Sequence, residues 1–249
     1  YRINPGRDGV KVYVSTHDGQ KQTQFYRWKF EETFQYRAVN YATLEAVTDP
    51  ITKIDTLLPR PKAKEDSIKV CWRTVKPTTI VLGTSVGLSQ DAIRDLPILE
   101  VSASSTKLLY DYSVLVRQYA LPQEVYDFLH SLAQTTEITG SIFDPMPSQV
   151  TSNVHNVANA KEPVFGFFCI LKPVERRIPI RESMGEQPFC KPFFDCEIYP
   201  MYEVALLTSD PILGTCVDES KRMHYITVDP ACTDCRIQGG TTKKPSFMR

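Results

Sequence analysis

The sequence contains no run approaching the roughly 18 consecutive apolar residues that a membrane-crossing helix needs. It carries no surplus of charge: 29 Lys and Arg balance 29 Asp and Glu, so electrostatics do not draw it to nucleic acid or an anionic membrane surface. A phosphate-binding P-loop is missing, as is H-E-x-x-H. Its four histidines, His17, His130, His155 and His224, never fall at a pairing distance. Internal repeats and low-complexity tracts are absent too. The chain opens at Tyr1-Arg2-Ile3-Asn4-Pro5 without a methionine, signal peptide or lipidation site, and we read this opening as the interior of a longer protein.

What is present is mostly strand. In "GVKVYVSTHDGQ", Val10, Val12 and Val14 alternate with Lys11, Tyr13 and Ser15 up to an Asp18-Gly19 turn. "FYRWKFEETFQY" places Tyr26, Trp28, Phe30, Phe34 and Tyr36 on one face and Arg27, Lys29 and Glu31 on the other. An aromatic face opposite a charged face, repeating every two residues, is a half-solvated antiparallel strand. "SIKVCWRT" repeats the pattern with Ile68, Val70 and Trp72. In "TKLLYDYSVLVRQYAL", Tyr110, Tyr112, Val114 and Val116 alternate against Asp111, Ser113 and Arg117. "PVFGFFCILKPV" and "RMHYITVDP" complete the strand set.

One helix is expected at about 122–136. Val125, Phe128, Leu129 and Leu132 form a single apolar stripe, Pro122 suits a first turn, and Glu124 suits the positive end of the dipole. This helix should pack across a sheet, with His130 off the stripe and solvated. Residues 51–66 and 141–163 are polar and proline-broken, and read as long loops. The expected architecture over 1–249 is mainly β, an antiparallel β-sandwich or open barrel with one prominent helix.

Of the seven cysteines, five fall in the last 60 residues, which favours an oxidising compartment. Cys232 and Cys235 form a C-x-x-C, but there is no second pair of similar geometry to complete a zinc ribbon. Arg236-Ile237-Gln238-Gly239-Gly240 cannot build the helix that a thioredoxin-type redox site requires. A structural staple remains, with Cys190, Cys196 and Cys216 as the nearby partners and the connectivity open. Cys169, in "FFCILK", reads as a buried spare thiol.

"QFYRWKFEETFQY", "YSVLVRQYALPQEVYDFLHSLAQTTEITGSIFDPMPSQVTSNVHNV", "EPVFGFF" and the terminal "CTDCRIQGGTTKKPSF" resemble successive signatures of the domain of unknown function 4249 family, Bacteroidetes outer-membrane lipoproteins. The resemblance runs in order from about residue 8 to the end, where "PSFMR" departs from the family's usual ending. It implies a signal peptide, a lipid-modified cysteine and a small β domain upstream, all outside this chain, so that 1–249 would be the C-terminal β-rich part of a larger lipoprotein. It also implies attachment at the outer membrane, the cell surface being favoured over the periplasmic face. Many members are encoded beside a TonB-dependent transporter, which implies an accessory role on such a transporter or a related outer-membrane complex. The family brings no catalytic residues.

The expected function is therefore a non-enzymatic accessory subunit without cofactor, metal or nucleic-acid partner. "FDPMPSQVTSNVHN" offers Asp144, Gln149, Asn153, His155 and Asn156 to a ligand or partner, although such residues more often bond their own loop. Two other roles compete: capture of a glycan or peptide on aromatic residues such as Trp28 and Trp72, and a structural or adhesive role. For the tryptophans, core burial is the stronger reading, since both fall in phase with apolar strand faces. Carboxylate pairs for hydrolysis (Glu31 with Glu32, Asp210 with Asp218) are of a kind any chain this long contains. Asp-Thr-Leu at Thr56 and Asp-Ser-Ile at Ser67 match the O-glycosylation pattern of the phylum that the resemblance implies.

Overall fold

The computed structural model describes residues 2–248 apart from 139–151, 181–197, 202–211, 218–222 and the single positions or pairs 7–8, 21, 39, 41, 54, 103–104, 160, 163 and 165. In chain order the strands are β1 (Arg2–Gly6), β2 (Gly9–His17), β3 (Phe25–Arg37), β4 (Leu44–Thr48), β5 (Asp55–Pro59), β6 (Val70–Val75) and β7 (Val81–Thr84). They continue with β8 (Ala92–Ser102), β9 (Tyr112–Leu121), β10 (Val174–Ile180), β11 (Ile198–Met201), β12 (Ile212–Val217) and β13 (Met223–Val228). Helix α1 (Lys62–Lys69) leads into β6, and α2 (Gln123–Ile138) follows β9.

The pairings are antiparallel and build three sheets, ordered β1-β2-β8, β10-β9-β3-β6 with β7 also on β3, and β11-β13-β12-β4-β5. Among the described residues none closes into a barrel. The first two share one core. Val10, Val12 and Val14 of β2 and Ile98 and Val101 of β8 cluster with Trp28, Phe30, Phe34, Tyr112, Val114 and Ile178 of the second sheet. The two-residue alternation in β2 and β3 is thus the sandwich interior, and its apolar area is what holds the sheets together.

Among the described residues, the Glu32 carboxylate lies inside this core. Glu32 follows the aromatic face of β3 and is 2% exposed. Lys107, from a 3-10 turn at Thr106–Leu108, reaches both of its oxygens at 3.0 Å, and the Tyr112 hydroxyl donates to one at 2.7 Å. Burial, then the charge and hydrogen bond of Glu32, push the Tyr112 phenol far above its ordinary value, so Tyr112 stays a donor. The buried carboxylate is therefore paired and hydrogen-bonded, as one must be.

Helix α2 packs against the second sheet. Leu121, Val125 and Leu129 form a smaller cluster with Phe25, Leu82, Tyr119 and Phe167, while His130 is exposed and stacks on Tyr126. Several expectations need correction. Residues 51–66 hold β5 and most of α1 rather than only loop. Ile68 lies on α1 and Cys71 rather than Trp72 is the buried residue of β6: the strand starts three residues later than "SIKVCWRT" suggests, with the opposite face inward. Residues 166–172 form no ladder with the described strands, and Cys169 there is an exposed free thiol rather than a buried spare.

The C-terminal segment is part of the sandwich. Cys235 forms a disulfide with Cys71 across 164 residues, and both sulfurs are buried. Around it, Cys235 N–H donates to Ile68 C=O at 2.9 Å, Tyr36 Oη donates to Cys235 C=O at 2.6 Å, and Asn40 N–H donates to Cys232 C=O at 2.9 Å. Trp72 and Thr241 exchange two backbone hydrogen bonds, of 2.8 and 2.9 Å, on the free edge of β6. Gly240 is required here, because a Cβ would meet Tyr36 Oη at 2.1 Å and Cys71 Cβ at 2.8 Å. The chain then reaches the opposite edge, where the Arg177 guanidinium of β10 lies 3.6 Å from the Phe247 ring centroid. Residues 241–247 thus span the sheet from β6 to β10.

Cys71 was not among the expected partners, which were limited to cysteines close by in sequence. Cys232 is also disulfide-bonded, so the two cysteines of the C-x-x-C are stapled separately. The side chains of Cys190, Cys196 and Cys216 lie outside the described residues. A disulfide closing so long a loop mainly restricts the unfolded chain. Replacing both Cys71 and Cys235 by Ala should lower unfolding free energy by about 2–5 kcal/mol. Urea unfolding of the oxidised proteins checks this, and matching midpoints and slopes would contradict it.

Candidate functional site

A break in the ladder of β3 makes a recess beside that strand. Strand β7 pairs with Phe25–Trp28 and β6 with Glu32–Arg37, which leaves Lys29, Phe30 and Glu31 unpaired on that side. Pro77 helps explain the gap. Proline has no N–H for a ladder and restricts the residue before it, so β6 stops at Val75 and the link to β7 stands away from β3. The result is a groove of about 460 Å³ between that link and the outward side chains of β3 and β9.

Four cations line this groove, Arg27, Lys29, Lys76 and Arg117, with Glu31 as the one acid. Glu31 bonds Arg117 and lies 3.6 Å from Lys76, while Arg117 also bonds Glu175. Arg27 and Lys29 have no carboxylate partner among the described residues, and Arg27 Nε is buried with no hydrogen-bond partner. Lys29 sits directly opposite Arg117 in the ladder, a like-charge pair that normally destabilises a sheet. Repulsion from Arg27, then burial and Arg117, hold the Lys29 amine below its ordinary value. Burial lowers the Arg27 guanidinium, against the partial compensation of Tyr119 and Cys169 nearby. Such an array suits an anion.

The second surface is apolar. Between 152 and 174 the chain exposes Val154 (40%), Val157 (93%), Phe168 (70%), Ile170 (87%) and Val174 (74%). The stretch is anchored from behind: Phe167 packs on Phe128 of α2 with ring centroids 5.3 Å apart, and Leu171 joins the same cluster. It leads into β10, the outer strand of its sheet.

Asn153 and Asn156 organise this stretch. Asn153 both donates to Phe168 C=O and accepts from Phe168 N–H, each at 2.7 Å, fixing two parts of the ribbon side by side. Asn156 Oδ1 accepts from Ala158 and Asn159 N–H groups, and its Nδ2 donates to Glu162. These are bonds within the loop, of the kind Asx turns make. His155 is exposed, and Asp144 and Gln149 lie outside the described residues.

Other residues singled out by sequence are scattered. Trp28 is fully buried, with its Nε1 donating to Gln118 at 3.0 Å, and Trp72 is half-buried at the tail bridge. Glu31 and Glu32 point to opposite faces of β3, so they form no acid–base pair, and Asp210 and Asp218 lie outside the described residues. Thr56 on β5 and Ser67 on α1 are exposed. Gly83-Thr84-Ser85-Val86-Gly87 has the G-x-S-x-G spacing of a hydrolase nucleophile elbow. Here a turn rather than a helix follows β7, and Ser85 is 2% exposed and bonded to Asp91. It is a turn residue. No group of three or more His, Cys, Asp or Glu side chains among the described residues is placed to hold a metal ion.

The groove was missed because its cause is topological: the charged face of β3 was legible, but the gap beside it was not. What fold and surfaces define is an antiparallel β-sandwich scaffold presenting a cationic groove and an apolar ribbon. The chain belongs to the family described as Domain of unknown function (DUF4249), whose model matches residues 1–177. The terminal C-x-x-C lies beyond the matched residues. No curated protein and no solved structure matches the chain.

For Glu31, burial is the largest single influence and pushes the pKa up, but Arg117 and Lys76 together outweigh it and leave the group below its usual 4.5. A carboxyl depressed in the folded state contributes stability that is present above its unfolded pKa and lost as pH falls through the folded one. Glu31→Gln should therefore be less stable than wild type at pH 7, and the difference should shrink from about pH 4.5 downward. Urea midpoints across that range read it out. A pH-independent difference would count against the ion-pair assignment.

Proposed function

We propose that this chain is a non-enzymatic accessory subunit of an outer-membrane complex, docking on a TonB-dependent transporter. Lipid on a segment upstream of residue 1 would hold it at the membrane, with the cell surface the favoured side. The observation that carries the reading is the ribbon of exposed apolar side chains from Val154 to Val174. Isolated surface hydrophobics need no explanation, but a run of them braced from behind is the character of a protein-contact surface. Loop-borne residues on a rigid β scaffold commonly carry recognition.

The transporter as partner rests on the family resemblance, which implies that many members are encoded beside one. The exposed Thr56 and Ser67 are accessible to the O-glycosylation their motifs suggest. Direct capture of a sugar on tryptophan finds little support, since Trp28 is buried and Trp72 lies under the tail bridge.

Co-purification of the tagged full-length protein in mild detergent tests the proposal. A TonB-dependent transporter should be recovered in stoichiometric amount, and a Phe168→Asp/Ile170→Asp double variant should recover at least about tenfold less, because hot-spot apolar contacts dominate such interfaces. Recovery of the lipoprotein alone, or equal recovery by the variant, would defeat it.

A further inference from the structure

We propose that the groove beside Arg27 and Lys29 is a binding site for a small molecule carrying a carboxylate or phosphate group. Three independent features of the fold converge on it. The recess is structural, created where β6 and β7 leave Lys29–Glu31 without a ladder partner, and its volume of about 460 Å³ is in the range of small-molecule sites. Its charge is unbalanced: Glu31 is already engaged by Arg117 and Lys76, so Arg27 and Lys29 are left without a carboxylate among the described residues. The arrangement also works against the sheet, with Lys29 facing Arg117 across the ladder and Arg27 two residues along the same face.

An oxyanion would resolve each of these. It would lie between the Arg27 and Lys29 heads, whose residues stand about 7 Å apart along the strand, and accept charge-assisted hydrogen bonds from both. Binding would also remove the repulsion that depresses the Lys29 amine. Tyr119, directly opposite Arg27, adds an aromatic wall for the uncharged part of the ligand. The site is separate from the docking ribbon in its chemistry and stands whether or not the chain binds a transporter.

Isothermal titration calorimetry of the oxidised chain with sodium phosphate and with sodium glucuronate, against sodium chloride of equal ionic strength, tests the site. Saturable binding of at least one probe is expected, weakened about tenfold by Arg27→Gln and by Lys29→Gln, the order that one charge-assisted hydrogen bond contributes. Lys244→Gln, at an exposed tail position, should bind as wild type. Phosphate alone would mark a phosphoryl ligand, glucuronate alone a carboxylate, and both an oxyanion site without selectivity. Lys29→Gln relieves repulsion and should keep or raise the unfolding midpoint, so it decides the matter if Arg27→Gln fails to fold. Absence of saturable binding, equal heats with chloride, or binding undiminished by Lys29→Gln would overturn the site.

Discussion

The bond between Cys71 and Cys235 is the constraint on which the rest of the arrangement hangs. It joins the first residues of β6 to a segment 164 residues later, at a point where Tyr36, Ile68 and Cys235 are also tied by hydrogen bonds. Once that point is fixed, Gly240 can pass against the Tyr36 ring, Thr241 can pair with the edge of β6, and Phe247 can reach Arg177 on β10. A sheet edge left open is a template for unwanted pairing. Here the chain's own end occupies part of it.

Strand β3 links this clasp to the functional surfaces. Its inward face supplies Trp28, Phe30 and Phe34 to the sandwich core and holds the Glu32–Lys107 pair. Its outward face is divided between the tail at one end and the cationic groove at the middle, with α2 packed at the other end. The ribbon from 152 to 174 rests on that same helix. Core, clasp, groove and ribbon are thus arranged around one strand, so a change that loosens β3 is felt at every surface considered for binding.

Much of this was legible in the sequence because it depends on local periodicity. Val10, Val12 and Val14 announce β2, the aromatic alternation announces β3, and the apolar stripe of Val125 and Leu129 announces α2. What was not legible depends on long-range pairing. The local pattern around Cys71 gives no sign of its partner, and only the register of β6 against β3 turns it toward Tyr36 and the tail. "FFCILK" has the composition of a strand, yet among the described residues it finds no partner strand: Phe167 and Leu171 pack toward α2, and Phe168 and Ile170 are left exposed. The groove exists because two strands share the flank of a third, which no single stretch of sequence encodes.

The central claim is that the terminal segment is an integral layer of the sandwich rather than an appended tail. Hydrogen exchange followed by mass spectrometry on peptides covering 68–75 and 232–248 tests it directly, comparing the oxidised protein with the Cys71→Ala/Cys235→Ala form. If the claim holds, the Trp72 and Thr241 amides are protected together in the oxidised protein, and both lose protection when the bond is gone. If 232–248 exchanges as free chain in the oxidised protein while β6 stays protected, the segment is not part of the fold and the account fails.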